Sequence, residues 1–258
     1  MACEEGLLQA MMNDAVLIPY QPNNGIKSMR EINTDMDMDT DTGTDTDVEK
    51  VIQILKERYQ AGSSLLMAPA TRGDPFLTLI SCLLSLRTHD EVTSKAAERL
   101  FSLAKTPEEM LKLRISDIES AIYPVGFYHR KAKQIVEICS TLVERYNSKV
   151  PDELDELLKL RGVGRKTANI VLTIGYNKPG IAVDTHVHRI SNRMGIVATR
   201  NPNETEFALR RIVPKQNWII LNELFVLHGR SVCTPLSPRC SICPVSQYCK
   251  RIGVTRSR

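Results

Sequence analysis

The stretch LRGVGRKTANIVLTIGYNKPGIAVDTHVHRISNR, residues 160–193, decides the fold. Just before it, DELDELLK (152–159) sets Leu154, Leu157 and Leu158 at helical spacing behind an acidic first turn, which suits a helix N-terminus. Gly162 and Gly164 end that helix. From Arg165 helical spacing resumes with Ala168, Val171 and Leu172 on one face, so two helices meet at a tight glycine turn. Backbone N–H groups opening the second helix, with Arg161 and Arg165 beside them, suit a phosphate. Such a contact holds a nucleic-acid backbone without reading its sequence. An ordinary helical hairpin with a glycine turn answers to the same residues.

Lys166 follows at the positive end of the second helix, next to Arg165. Neighbouring positive charge and partial burial both lower the pKa of an amine, and a neutral amine is a nucleophile. Asp184 stands between the apolar run Ile181–Val183 and a helical pattern carrying Val187, Ile190 and Met194, the position of an N-cap. A carboxylate fixed there also stabilises positive charge developing on a sugar. Capping alone is the simpler reading of an isolated aspartate at such a boundary.

Working outward, every pattern is helical. Val48, Val51, Ile52, Leu55 and Tyr59 share a face; Asp74-Pro75 starts a helix whose FLTLISCLLSL (76–86) is apolar almost all round, as in a helix enclosed by others. Asp90 reads as the cap of a helix bearing Val92, Ala96, Leu100 and Phe101. Thr106 with Glu109, and Ser116 with Glu119, read as capping boxes. A long helix covers Tyr128–Asn147, and Cys82 and Cys139 read as core residues. No strand alternation appears, so the class is all-α.

The 258 residues carry a formal net charge of +4 and are 42% apolar. Residues 1–47 hold ten acidic side chains against Lys27 and Arg30, a charge of −8 that leaves +12 on the remainder. A basic body suits a phosphate-rich partner. The low-complexity TDMDMDTDTGTDTD lacks the apolar residues of a core, so 1–47 is expected to be a disordered acidic tail. A calcium loop fails there: from Asp37, Thr42 stands where glycine is needed and Val48 where glutamate is needed. No apolar run is long enough to span a membrane.

Four of the seven cysteines, Cys233, Cys240, Cys243 and Cys249, fall in a C-x6-C-x2-C-x5-C spacing near the C-terminus. Without secretion signals the expected compartment is intracellular and reducing, the cytoplasm or nucleoid of a prokaryote or the nucleus of a eukaryote, and the thiolates are expected to hold metal. Zinc more often uses two C-x2-C pairs, so the spacing leans towards an iron–sulfur cluster.

LRGVGRKTANIVL followed by AVDTHVHRISNR resembles the helix-hairpin-helix and Gly/Pro-Asp loop of the endonuclease III family of DNA glycosylases, and the likeness runs through most of residues 48–250. The resemblance implies a [4Fe-4S] cluster on the four cysteines, Lys166 as the Schiff-base lysine and Asp184 as the essential aspartate. It implies two helical domains, 68–178 carrying the hairpin and 48–67 with 179–258 carrying the cluster, and an active-site cleft between them. By family position Phe127, ahead of Arg130, Lys131 and Lys133, is the wedge that fills the duplex when a base is extruded, and His186 contacts the damaged nucleotide. Gly162, Gly164, Arg161 and Arg165 become the phosphate grip.

Two departures stand out. Leu86 and Arg87 occupy LSLRTHD (84–90), where relatives carry a gap-filling glutamine, and Arg161 replaces the usual proline before the hairpin. The implied activity is a bifunctional glycosylase and lyase removing oxidised pyrimidines. The implied partner is double-stranded DNA with damaged bases, met by a monomer with no membrane role. The alternatives are a thymine or adenine mismatch glycosylase of the same fold, against which Lys166 argues, and a non-catalytic iron–sulfur DNA-binding module, which leaves Lys166 and Asp184 unexplained.

Overall fold

The structure, a computed structural model, describes residues 43–59, 71 and 73–258, and for 43–47 the backbone alone. Most of the expected acidic tail lies outside these residues. Its last five do not: α1 runs Gly43–Tyr59, so helix begins inside the segment expected to be disordered.

There follow α2 (Pro75–Ser85), α3 (Asp90–Leu103), α4 (Pro107–Lys112), α5 (Ile115–Ile122), α6 (Tyr128–Tyr146), α7 (Leu154–Leu157), α8 (Arg165–Ile170), α9 (Thr185–Met194), α10 (Pro202–Ile212) and α11 (Trp218–Ser231). Among the described residues there is no strand, and the fold is all-α as expected. Asp74 caps α2 by accepting from Leu77 N at 2.9 Å. Thr106 accepts from Glu109 N at the start of α4, while the Glu109 carboxylate reaches back to Lys105 N at 2.7 Å.

Two caps differ from expectation. Asp90 is the first residue of α3 rather than its cap, and its carboxylate pairs instead with Arg230, 140 residues away, at 2.6 Å. In α5 the cap joins Arg114 and Asp117, not Ser116 and Glu119: Arg114 N and Nε both donate to Asp117 Oδ2, and Asp117 N donates to Arg114 O. A basic N-cap residue whose long side chain lies along the carboxylate is invisible to a pattern that looks for a hydroxyl.

Buried apolar side chains gather in two cores. In the first, Leu79, Ile80, Leu83 and Leu84 of α2 meet Leu100 of α3, Ile118 and Ile122 of α5, and Ile135, Ile138 and Leu142 of α6. All residues from Phe76 to Leu84 are buried, which explains why α2 has no polar face. In the second, Val48, Val51, Ile52 and Leu55 of α1 pack with Val187 and Ile190 of α9, Leu209 of α10 and Leu221, Leu224 and Phe225 of α11. The 160–193 stretch contributes Val163, Ala168 and Val171 to one core and Ile181, Val183 and Val187 to the other.

Candidate active site and metal centre

Gly162 is the hinge of the hairpin. Its φ of +76° is a left-handed conformation that strains any other residue, and a Cβ there would fall 2.1 Å from Gln134 Nε2, which donates to Arg161 O at 2.9 Å. At Gly164 a Cβ would meet nothing within 4 Å, so the chain opening α8 faces open space. Arg161 is exposed and pairs with Glu137 at 2.8 Å. Arg165 is engaged elsewhere: Nε and Nη2 clasp the two carboxylate oxygens of Glu206 at 2.8 and 2.7 Å, and the guanidinium lies 4.7 Å from the Phe207 ring. Glu206 is 2% exposed and also takes Arg210, whose Nη2 reaches Asn169 Oδ1 at 3.0 Å. The hairpin is thereby tied to α10.

Beyond Ile170 the helix widens into a π turn, Val171–Gly175, that packs on α2. Lys166 from α8 and Asp184 from the N-cap of α9 line one cavity of about 550 Å³, the size of a small-ligand site. Its wall on one side is Ser81, Cys82 and Ser85 of α2; on the other it is Asn222, Val226 and Arg230 of α11. Lys166 is solvent-exposed there, not partly buried as expected. Asp184 accepts from His186 N and Val187 N, both at 2.9 Å and both on Oδ1, so capping uses one carboxylate oxygen and leaves Oδ2 out. Cys82 is buried as expected but lines this cavity, and burial pushes its thiol up to about 12. His186 is not among the lining residues. Its Nδ1 lies 3.1 Å from Arg189 Nη2, and burial lowers its pKa.

Phe127 and Arg87 form a separate pair of tips. Both are non-glycine residues in left-handed conformation, at φ 59° and 52°, and the guanidinium sits 5.8 Å from the ring. Phe127 is 62% exposed at the N-cap of α6. Lys131 holds the two tips together. Its buried Nζ donates to Leu84 O, Leu86 O and Thr88 Oγ1 at 2.8, 2.6 and 3.3 Å, and Thr88 Oγ1 accepts from Gly126 N. Although it stands between Arg130 and Lys133 in the sequence, Lys131 lies on the buried face of α6 with Ala132 and Ile135, and burial brings its pKa down to about 8.

Cys233, Cys240, Cys243 and Cys249 line a second cavity with Met194, Val232 and Val245. None is in a disulfide. Burial raises the Cys243 and Cys249 thiols, and the crowding of the other cysteines raises them further, a repulsion that a cationic core would relieve. Four thiols lining one cavity supply the donor set of an iron–sulfur cluster. His228, buried with its pKa lowered to about 4, lies 3.7 Å from Cys243 Sγ and 3.1 Å from the Tyr59 hydroxyl.

The loop is anchored to the far end of α9. Arg193 Nη1 donates to Thr234 O at 2.8 Å and to Cys233 Sγ at 3.3 Å, and Arg189 Nη2 donates to Cys233 O at 2.9 Å. Lys250 N and Ile252 N bond Met194 O and Arg193 O. Gly195, at φ +77°, ends α9 where a Cβ would lie 2.5 Å from Lys250 Cδ.

Comparison with known proteins agrees with this geometry. Residues 80–215 match the HhH-GPD superfamily of base excision DNA repair proteins, and 233–249 match the iron–sulfur binding domain of endonuclease III. The endonuclease III of Thermotoga maritima is 52% identical over 177 residues, spanning 69% of this chain and 83% of that protein. This chain belongs to the endonuclease III family. The endonuclease III of Escherichia coli K12 is 38% identical over 176 residues, 68% of this chain and 83% of the relative. A solved endonuclease III–DNA covalent intermediate aligns with a TM-score of 0.73 at 34% identity, over 80% of this chain and 96% of that one. As a member of the endonuclease III family the chain is a DNA glycosylase with lyase activity in base excision repair, acts on DNA, and carries a [4Fe-4S] cluster. No helix among the described residues is long and apolar enough to cross a membrane.

Proposed function

We propose that this glycosylase excises oxidised pyrimidines from double-stranded DNA as a monomer, with Lys166 as the nucleophile and Asp184 as the electrostatic partner. The observation that carries the reading is that one cavity is lined both by Lys166, its one lysine among the described residues, and by Asp184, whose Oδ2 is spared by capping. A relative is known as a covalent complex with DNA, which an amine nucleophile accounts for.

In this reading Phe127 and Arg87 fill the space of the extruded base, while the N–H groups at Gly162 and Gly164 together with Arg161 hold the backbone. The neutral Lys166 amine bonds C1′ as the glycosidic bond breaks, and the departing base takes the electron pair and then a proton. The Asp184 carboxylate stabilises the positive charge that builds on the sugar as the base leaves. Loss of the amine proton opens the ring to an imine; loss of a C2′ proton then expels the 3′ phosphate, and water releases Lys166. Cys233, Cys240, Cys243 and Cys249 hold the cluster, which supplies a structural brace to the loop and no bond chemistry. The four thiols stand outside the cavity that holds Lys166.

Borohydride trapping on a duplex carrying one thymine glycol tests the assignment. Wild-type protein gives a covalent adduct, and Lys166→Ala gives none while still binding the duplex. Strand cleavage that survives in Lys166→Ala sinks the reading.

A further inference from the structure

Ser81 lies in the middle of α2, is 8% exposed, and faces the cavity shared by Lys166 and Asp184. Its hydroxyl has no hydrogen-bond partner among the described residues. That is unusual for a helical serine, which ordinarily turns its hydroxyl back onto a carbonyl of the preceding turn. Three other hydroxyls along the wall behave that way. Ser85 Oγ donates to Cys82 O at 2.9 Å, Thr93 Oγ1 to His89 O at 3.1 Å, and Thr173 Oγ1 to Asn169 O at 2.9 Å. Ser81 alone of these four keeps its proton uncommitted. A buried hydroxyl without a partner is a standing cost that natural cores avoid unless something else supplies the bond.

The neighbourhood says what supplies it. The wall that includes Ser81 also carries apolar side chains, among them Cys82, Ala97, Ile170 and Val226, which suit the body of a base. Ser81 lines the same cavity as Lys166, the amine that would meet C1′. Every pyrimidine carries a carbonyl oxygen bonded to the carbon beside its glycosidic nitrogen; an unmodified purine has no carbonyl there.

We propose that Ser81 is a specificity-determining residue whose hydroxyl donates a hydrogen bond to that carbonyl of the extruded pyrimidine. The proposal rests on Lys166 and Asp184 lining the base-excising cavity. The bond strengthens as the reaction proceeds. When the glycosidic bond breaks, its electron pair passes into the ring and is shared by this oxygen, so a donor held there favours departure of the base. Without a base the hydroxyl has nothing to act on.

Single-turnover rates separate these cases. Wild type and Ser81→Ala are compared on two duplexes of one sequence, one carrying thymine glycol and the other an abasic site. The expected result is excision slowed about 3- to 10-fold by Ser81→Ala, the worth of one hydrogen bond, with cleavage at the abasic site unchanged. A thermal melt of the variant at or above that of wild type shows that the fold is intact, since a methyl replaces an unsatisfied hydroxyl. Equal excision by both proteins overturns the proposal, as does an equal loss on both duplexes, which would mean that Ser81 acts on the sugar or the fold. If wild type cleaves the abasic duplex and leaves thymine glycol in place, the pyrimidine reading itself fails and takes this assignment with it.

Discussion

Replacing Glu206 by glutamine removes one charge and almost no volume, and the structure gives the cost. The carboxylate is 2% exposed and receives three N–H groups from two arginines, Arg165 Nε and Nη2 at 2.8 and 2.7 Å and Arg210 Nε at 3.1 Å, while Arg210 Nη2 lies 3.0 Å away as an ion-pair partner. Glutamine offers one acceptor oxygen and turns an NH2 group against a guanidinium. Breaking one member of a fully buried ion pair costs about 3–5 kcal/mol. The two arginines are 23% and 25% exposed, so water screens part of the orphaned charge and the cost drops below that range, to roughly 2–3 kcal/mol. For a chain of this size each kcal/mol moves the midpoint by about 2–4 °C, so a thermal melt of cluster-loaded Glu206→Gln should fall by roughly 5–10 °C. Arg165→Gln alone should cost less, because Glu206 keeps Arg210, and the double variant should lose less than the two singles together. A Glu206→Gln midpoint within a degree of wild type refutes the argument. It would mean that the cluster of charges is solvated and that Arg165 is available for other work.

Two further outcomes follow from the tips. Lys131, surrounded by neutral oxygens, gives up its proton near pH 8 in the fold but near 10.5 when unfolded. Between those values the unfolded chain binds more protons, so this residue makes stability rise with pH. Cys82 and Cys139, raised by burial from 9.0 to about 12, act in the opposite sense over a window that overlaps the upper part of this one. The measurement is therefore the denaturant stability of wild type minus that of Lys131→Met, which should climb from pH 8 to 10.5; a flat difference counts against a buried cation. On the proposed wedge role, Phe127→Ala should slow thymine glycol excision from duplex roughly 10- to 100-fold while sparing the same lesion in a single strand. Equal losses on both substrates would remove the wedge from the account.

What could be read from the chain was whatever repeats locally. The apolar faces of α2, α6 and α9, the Asp184 cap and the cysteine spacing each lie within about twenty residues, and local geometry alone specifies them. Other features depend on partners brought together only by the fold. Glu206 looks like an ordinary residue of an amphipathic helix until Arg165, 41 positions earlier, is laid across it. Lys131 reads as one of a basic trio until the carbonyls of Leu84 and Leu86 surround it. Ser81 offers no signal at all, because what marks it is a missing bond.

The ten residues of α9 have consequences for how this chain can change over time. Most surface helices keep one face in water, where substitutions accumulate at little cost. In α9 only Thr185 is exposed. Val187, Ile190 and Met194 are core, His188 and Asn192 bond Thr205 and Thr199, and Arg189 and Arg193 grip the cysteine loop, while Asp184 caps the other end. The helix has no idle side on which drift can occur unnoticed. A change anywhere along it disturbs the cavity, the core or the loop, so its sequence is expected to stand nearly still while the neighbouring helices diverge.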